Sequence, residues 1–116
     1  MVEAHDRLAA ARVALEAGFA PAATSLAYYA MLYAARAALS ETDRYAKTHK
    51  GTWDLFFQVF VRAARFDEQL AVAARETQPL REASDYDAAR ISVEDASNVV
   101  GLGERFVAAV AAMLGD

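Results

Sequence analysis

Apolar positions recur at helical spacing along most of the chain. Two segments, Val2–Ala17 and Pro21–Ser40, are predicted to be helices on this basis. Gly18 fits just past the end of the first helix, where glycine commonly terminates helices. The face predicted to point inward in the first segment consists of Ala4, Leu8, Ala11 and Leu15.

The second predicted helix is apolar on nearly all sides. Between Ser25 and Glu41 its one charged residue is Arg36. A helix of this kind belongs at the centre of a bundle, so we expect the other helices to surround it. Tyr28 and Tyr29 add large rings whose hydroxyls need hydrogen-bond partners when buried. Both tyrosines can be core residues, and one hydroxyl could instead line a pocket.

A third helix is predicted to open at His49, with Thr48 as its cap. Its apolar stripe indicates either the core or a dimer seam, and comprises Trp53, Phe56, Phe57, Phe60, Val61 and Ala64.

The remaining helix boundaries follow from caps and one proline. Asp67 is predicted to cap a fourth helix, and Pro79 predicts a kink or break in it. Ser92 with Asp95 resembles a capping box at the start of the last helix, and Gly115 fits its end.

Five helices with short connections predict an all-α fold. The expected architecture is an up-and-down four-helix bundle with one additional short helix, formed by residues 1–116 as a single domain. The abundance of alanine, with only five glycines and two prolines, favours the same fold class.

Composition narrows the range of functions. A net charge of −4 opposes a broad nucleic-acid surface, although it permits a small basic pocket. The absence of cysteine excludes thiolate chemistry, and with two histidines we predict no metal site and no cofactor. The apolar run 26–35 is too short to span a bilayer, and no secretory signal opens the chain. We therefore expect a cytoplasmic protein without a membrane partner.

The segment before the third helix carries the candidate chemistry. A helix N-terminus favours a bound anion and a neutral imidazole, so His49 could act as a base there. Arg44, Lys47 and Lys50 add positive charge close to it in the sequence, and Thr48 adds a hydroxyl. The alternative interpretation is that His49 simply caps or packs its helix.

The order of several motifs resembles the HEPN domain family, over nearly the whole chain. The matching stretches are SLAYYAMLYAARAAL, KTHKG, LREASDYD and ISVEDA. The resemblance implies a helical bundle, a homodimer and frequent pairing with a small nucleotidyltransferase-fold protein as a toxin–antitoxin module.

The resemblance also implies an activity and its residues. Active HEPN toxins are metal-independent ribonucleases with an Arg-x(4–6)-His motif, which Arg44 and His49 match in its shortest form. Asp85 and Tyr86 match the family's Asp-Tyr pair. Gly51 departs from members that carry a tyrosine two positions after the histidine, where the partner enzyme modifies it.

Three hypotheses follow for the function. The first is a ribonuclease with Arg44 and His49 as catalytic residues, and Lys47, Thr48 and Lys50 as phosphate ligands. The second is a non-catalytic subunit that binds a nucleotide or substrate for a nucleotidyltransferase partner. The third is a purely structural helical dimer. The residues predicted as a possible pocket are Tyr28, Tyr29, Asp85 and Tyr86.

Overall fold

The computed structural model describes residues 1–87 and 90–115, and they form an all-α bundle. The predicted fold class is confirmed. The helices are α1 (Val2–Glu16), α2 (Ala20–Ser40), α3 (His49–Phe56), α4 (Glu68–Arg75), α5 (Gln78–Tyr86) and α6 (Val93–Leu114). A π-helical segment, Phe57–Val61, continues α3 by just over one turn.

Helix α2 lies at the centre of the bundle. It packs against α1, α3, α5 and α6, and most of its side chains are fully buried. Gly103 of α6 permits close packing here, because a Cβ atom at that position would lie 3.1 Å from Leu8 Cδ2 and 3.5 Å from the Ala27 carbonyl oxygen. The apolar character of α2 therefore reflects its enclosure by other helices.

An aromatic cluster fills the end of the core between α3 and α6. Its centre is Phe56, whose ring centroid lies 5.1 Å from those of Phe60 and Phe66 and 5.6 Å from that of Phe106. Trp53 joins the cluster through Phe106, at 5.7 Å. Trp53, Phe56 and Phe60 of the predicted stripe are thus core residues of one chain, while Phe57 and Val61 are half-buried. Ala64 does not continue the stripe as predicted, because it is exposed in the turn that follows the π-helical segment.

The predicted helix caps at Asp67 and Ser92 are confirmed. The Asp67 carboxylate accepts a hydrogen bond from the Leu70 backbone N–H at 2.9 Å. Ser92 Oγ accepts one from Asp95 N–H at 3.0 Å, and the Asp95 carboxylate accepts one from Ser92 N–H at 3.3 Å. Both halves of the capping box are present.

The break expected at Pro79 separates two helices. Helix α4 ends at Arg75 and α5 begins at Gln78, with proline in the first turn of α5. Proline is tolerated there because the N–H that it lacks would have no partner within the helix. This break sets the direction of α5, which packs against α2.

Among the described residues, α6 is the one helix whose length and composition would allow it to span a membrane. In the bundle, this helix buries an apolar face against α1, α2 and α4. That face consists of Ala96, Val99, Val100, Gly103, Phe106, Val107 and Val110. Core helices of globular proteins meet the same length and composition criteria, so this is weak evidence for a membrane span.

Candidate functional site

The site is built on the N-terminal turn of α3, which Thr48 and Gly51 shape. Thr48 has an extended backbone, and its hydroxyl accepts a hydrogen bond from Gly51 N–H at 2.9 Å. A Cβ atom at Gly51 would lie only 2.8 Å from that hydroxyl oxygen. Glycine therefore leaves room for the cap, and the cap places His49 in the first position of the helix.

The His49 ring packs against two tyrosines of α2. Its centroid lies 5.8 Å from that of Tyr28, with the planes tilted by 34°, and 5.8 Å from that of Tyr29, with the planes nearly perpendicular. The imidazole is partly buried, and its Nδ1 lies 3.3 Å from the Tyr28 hydroxyl. The ring is thus held at the edge of the core, away from Phe56 and Phe60.

The Tyr28 hydroxyl has two further partners. It donates to Gln78 Oε1 at 2.8 Å and accepts from Trp53 Nε1 at 3.1 Å. Burial raises the pKa of Tyr28 above its ordinary value of 10.0, while the bond from Trp53 partly opposes this shift. The hydroxyl therefore keeps its proton at neutral pH.

Two arginines place positive charge near His49. Burial lowers the pKa of His49 below 6.5, and the charges of Arg36 and Arg81 lower it further, against a smaller opposite effect of Glu82. At neutral pH the ring is therefore uncharged, next to two guanidinium groups. A neutral base beside fixed positive charge suits a substrate that is itself an anion.

Each arginine is held by specific contacts. Arg36 Nε donates to Thr52 Oγ1 at 3.3 Å. Arg81 pairs with Asp85 at 3.0 Å, and its guanidinium lies 5.1 Å from the ring centroid of Tyr29. The Nε of Arg81 is buried and has no hydrogen-bond partner among the described residues, so this guanidinium retains a donor.

Arg44 lies in the exposed loop before α3. Its backbone N–H donates to the Leu39 carbonyl at 2.9 Å, and its side chain lines a small cavity with Arg36, Tyr45 and neighbouring apolar residues. Its charge is not among those that shift the pKa of His49. Within the described part of the chain, Arg36 is the residue that both lines this cavity and acts on the histidine.

The other predicted site residues divide into two groups. Asp85 lies next to the site through its ion pair with Arg81. Lys47 is exposed, Lys50 pairs with Asp54 at 2.6 Å, and Tyr86 is 90% exposed. The structure thus brings Tyr28, Tyr29 and Asp85 to His49 or its arginines and leaves Lys47, Lys50 and Tyr86 at the surface.

Four residues of the site were not singled out from the sequence as parts of it: Arg36, Trp53, Gln78 and Arg81. Arg36 stands eight positions after Tyr28, hence on the same face, and it is the one charge in an apolar helix. Trp53 follows His49 by four positions, which also places both on one face. Gln78 gave no signal of its own, because its role depends on how α5 packs against α2.

The side chains present do not suggest a metal centre. Residues 1–87 and 90–115 contain no group of three His, Cys, Asp or Glu side chains placed to hold a metal ion.

An all-α bundle, in which His49 at the start of α3 lies under the influence of arginines from α2 and α5, defines the class of this protein as a small helical domain. The family model described as HEPN domain matches residues 1–113, and the chain belongs to that family.

Two relatives support this membership. A UPF0332 protein of Gloeobacter violaceus is 32% identical over 109 residues, which cover 92% of this chain and 86% of the relative. A protein of Methanocaldococcus jannaschii, named as a candidate toxin, is 30% identical over 86 residues. That match covers 73% of this chain and 58% of the archaeal protein.

Proposed function

We propose that this protein is a toxin-like HEPN protein that cleaves RNA without a metal ion, at a site centred on His49. The observation that carries the proposal is the uncharged imidazole at the start of α3 with Arg36 and Arg81 close by. The similarity to a protein named as a candidate toxin supports the biological role.

His49 would act as the general base. Its unprotonated ring nitrogen takes the proton of a ribose 2′-hydroxyl, and the 2′-oxygen then attacks the adjacent phosphorus. The bond from phosphorus to the 5′-oxygen breaks, which gives a 2′,3′-cyclic phosphate. His49, which has become an imidazolium by taking the 2′-hydroxyl proton, then gives a proton to the departing 5′-oxygen and is neutral again.

Positive charge would stabilise the transition state. The phosphate gains negative charge as the 2′-oxygen attacks, and fixed guanidinium groups lower the energy of that state without reorganising. Arg36 and Arg81 are the arginines whose charges act on the base, and Arg44 would bind the phosphate from the loop. Lys47, Thr48 and Lys50 would contact the flanking backbone of the RNA.

The test is RNA cleavage by the purified protein. We expect His49→Ala to abolish cleavage with little change in the melting temperature, while His5→Ala, an exposed histidine of α1, serves as the matched control. Cleavage should survive EDTA, and mass spectrometry should find cyclic phosphate ends. Full activity of His49→Ala would overturn the proposal.

A second function has its own support. The net charge of −4 and the exposed position of Arg44 in the loop suit a non-catalytic subunit that binds a nucleotide for a nucleotidyltransferase-fold partner. Nucleotide binding that depends on Arg36 and Arg81, without any RNA cleavage, would favour this alternative. We propose a homodimer in the cytoplasm for either function, the ribonuclease or the non-catalytic subunit.

A further inference from the structure

A buried hydroxyl links three helices at the site. The oxygen of Tyr28 in α2 lies within hydrogen-bond distance of His49 and Trp53 in α3 and of Gln78 in α5. A tyrosine hydroxyl has one hydrogen to donate and can accept two. Because burial keeps Tyr28 protonated, its hydroxyl can donate in one of these three contacts and must accept in the other two.

The orientation of Gln78 is set from its other side. Its Nε2 donates to the Glu82 carboxylate at 3.2 Å, one helical turn further along α5. A carboxylate only accepts hydrogen bonds, so the NH₂ group of the amide faces Glu82 and the carbonyl oxygen faces Tyr28. The opposite orientation would place an amide oxygen against the carboxylate.

The direction of each bond to Tyr28 then follows. The indole of Trp53 can only donate, so the Tyr28 oxygen accepts from it at 3.1 Å. Gln78 Oε1 can only accept, and at 2.8 Å it takes the hydrogen of Tyr28. If that hydrogen pointed to His49, two oxygen atoms would face each other at 2.8 Å without a proton between them. The ring nitrogen of His49 must therefore be the donor to Tyr28.

We propose that Gln78 and Tyr28 are positioning residues that hold neutral His49 in the tautomer with its proton on Nδ1 and leave Nε2 as the basic nitrogen. Within residues 1–87 and 90–115, Nε2 has no hydrogen-bond partner, so its lone pair is not used inside the described part of the bundle. The catalytic meaning of this tautomer rests on the proposed ribonuclease function. The tautomer itself does not depend on that function.

The tautomer can be read directly by NMR. In the full-length protein labelled with ¹⁵N, long-range proton–nitrogen correlations separate a protonated ring nitrogen from an unprotonated one, at a pH where imidazole is neutral. We expect Nδ1 of His49 to be of the protonated type and Nε2 of the unprotonated type. The reverse assignment in the wild-type protein would overturn the inference.

Variants of Gln78 test whether this residue determines the tautomer of His49. In Gln78→Leu the Tyr28 hydrogen loses its acceptor and can turn to Nδ1, so the signals of His49 should shift towards the tautomer protonated on Nε2. Gln78→Glu retains an accepting oxygen and should keep the wild-type pattern. Gln69→Leu, an exposed glutamine of α4, is the matched control. An unchanged tautomer in folded Gln78→Leu would overturn the role of Gln78.

A second variant covers the case in which Gln78→Leu does not fold. Glu82 is exposed, and Glu82→Ala removes the group that orients the amide without opening the core. We expect it to populate a mixture of both tautomers, and a pure wild-type pattern would contradict the proposed orientation of Gln78.

Measurements of RNA cleavage distinguish a failure of this inference from a failure of the proposed function. If the protein cleaves RNA, Gln78→Leu should lower the cleavage rate by about tenfold to a hundredfold, as is typical when a partner that orients a catalytic group is lost. Loss of the wild-type tautomer with full cleavage would overturn the positioning role. A protein that cleaves no RNA but shows the expected tautomer would refute the ribonuclease proposal alone.

Discussion

The hydroxyl of Tyr28 lies 3.3 Å from Nδ1 of His49, although 21 positions separate the two residues in the sequence. Tyr28 is fully buried, whereas His49 is partly exposed at the start of its helix. A single phenol therefore belongs both to the core and to the candidate site. Changes to it should affect folding and chemistry together.

Removing the Tyr28 hydroxyl should destabilise the protein. In Tyr28→Phe the buried N–H of Trp53 and the oxygen of Gln78 both lose a partner, which costs about 1–3 kcal/mol of unfolding free energy. The control is Tyr33→Phe on the same helix, because the Tyr33 hydroxyl has no hydrogen bond among the described residues. This variant should change the free energy of unfolding by less than about 0.5 kcal/mol. Urea unfolding of both variants measures the difference, and equal values would contradict the network.

The lowered pKa of His49 predicts a dependence of stability on pH. Because the folded pKa lies below the unfolded value of 6.5, the unfolded chain binds more protons in the interval between them. The contribution of His49 is fully present above pH 6.5 and is lost as the pH falls through the folded pKa. Chemical unfolding across that interval should show a smaller decrease for His49→Gln than for the wild type, with His5→Gln as the control.

The three arginines should differ in their effect on His49. Arg36→Gln and Arg81→Gln each remove a charge that disfavours imidazolium, so each should raise the pKa of His49 in an NMR titration. Arg44→Gln should leave it unchanged. Equal shifts for all three variants would show that Arg44 approaches the ring in solution.

Phosphate contacts can be measured through salt dependence. With an RNA whose 2′-hydroxyl at the cleavage position is absent, substitution of Arg36, Arg44 or Arg81 by alanine should weaken binding. Each lost contact should reduce the slope of log affinity against log salt by about 0.7. Arg62→Ala, at an exposed position beyond the π-helical segment, is the control, and a slope that no substitution changes would argue against RNA backbone contacts.

The two confirmed caps should each contribute measurably to stability. Asp67→Ala and Ser92→Ala leave backbone N–H groups of α4 and α6 without their side-chain acceptors, at a cost of about 1 kcal/mol each. Ser97→Ala, exposed within α6, should be nearly neutral. Thermal unfolding compares the three, and a loss in Ser97→Ala as large as in Ser92→Ala would remove the capping explanation.

The homodimer is a prediction that light scattering or sedimentation can check at micromolar concentration. The apolar stripe of the third helix, for which a dimer seam was one of two predictions, is largely covered within a single chain. The expectation therefore rests on the family resemblance. A monomer at all concentrations would contradict it.

Local signals in the sequence were sufficient for the fold class and for several helix boundaries. The caps at Asp67 and Ser92 and the break at Pro79 depend on residues within one turn, and each appears where the sequence predicts it. The centre of the site could be predicted for the same reason, since Thr48 and His49 define a helix start.

The remainder of the site depends on packing between helices. Gln78 lies 50 positions from Tyr28, and their hydrogen bond requires α5 to pack against α2 in one specific register. No periodicity within either helix contains that information. Arg81 is similar, because its position in the sequence gives no indication that its charge acts on His49.

The close contact between Gly51 and Thr48 limits which side chains position 51 can carry. A tyrosine there would place its Cβ atom about 2.8 Å from the Thr48 hydroxyl oxygen. Thr48 would have to give up its bond to the helix, and the turn that carries His49 would loosen. A larger side chain at position 51 would thus require a coordinated change at position 48.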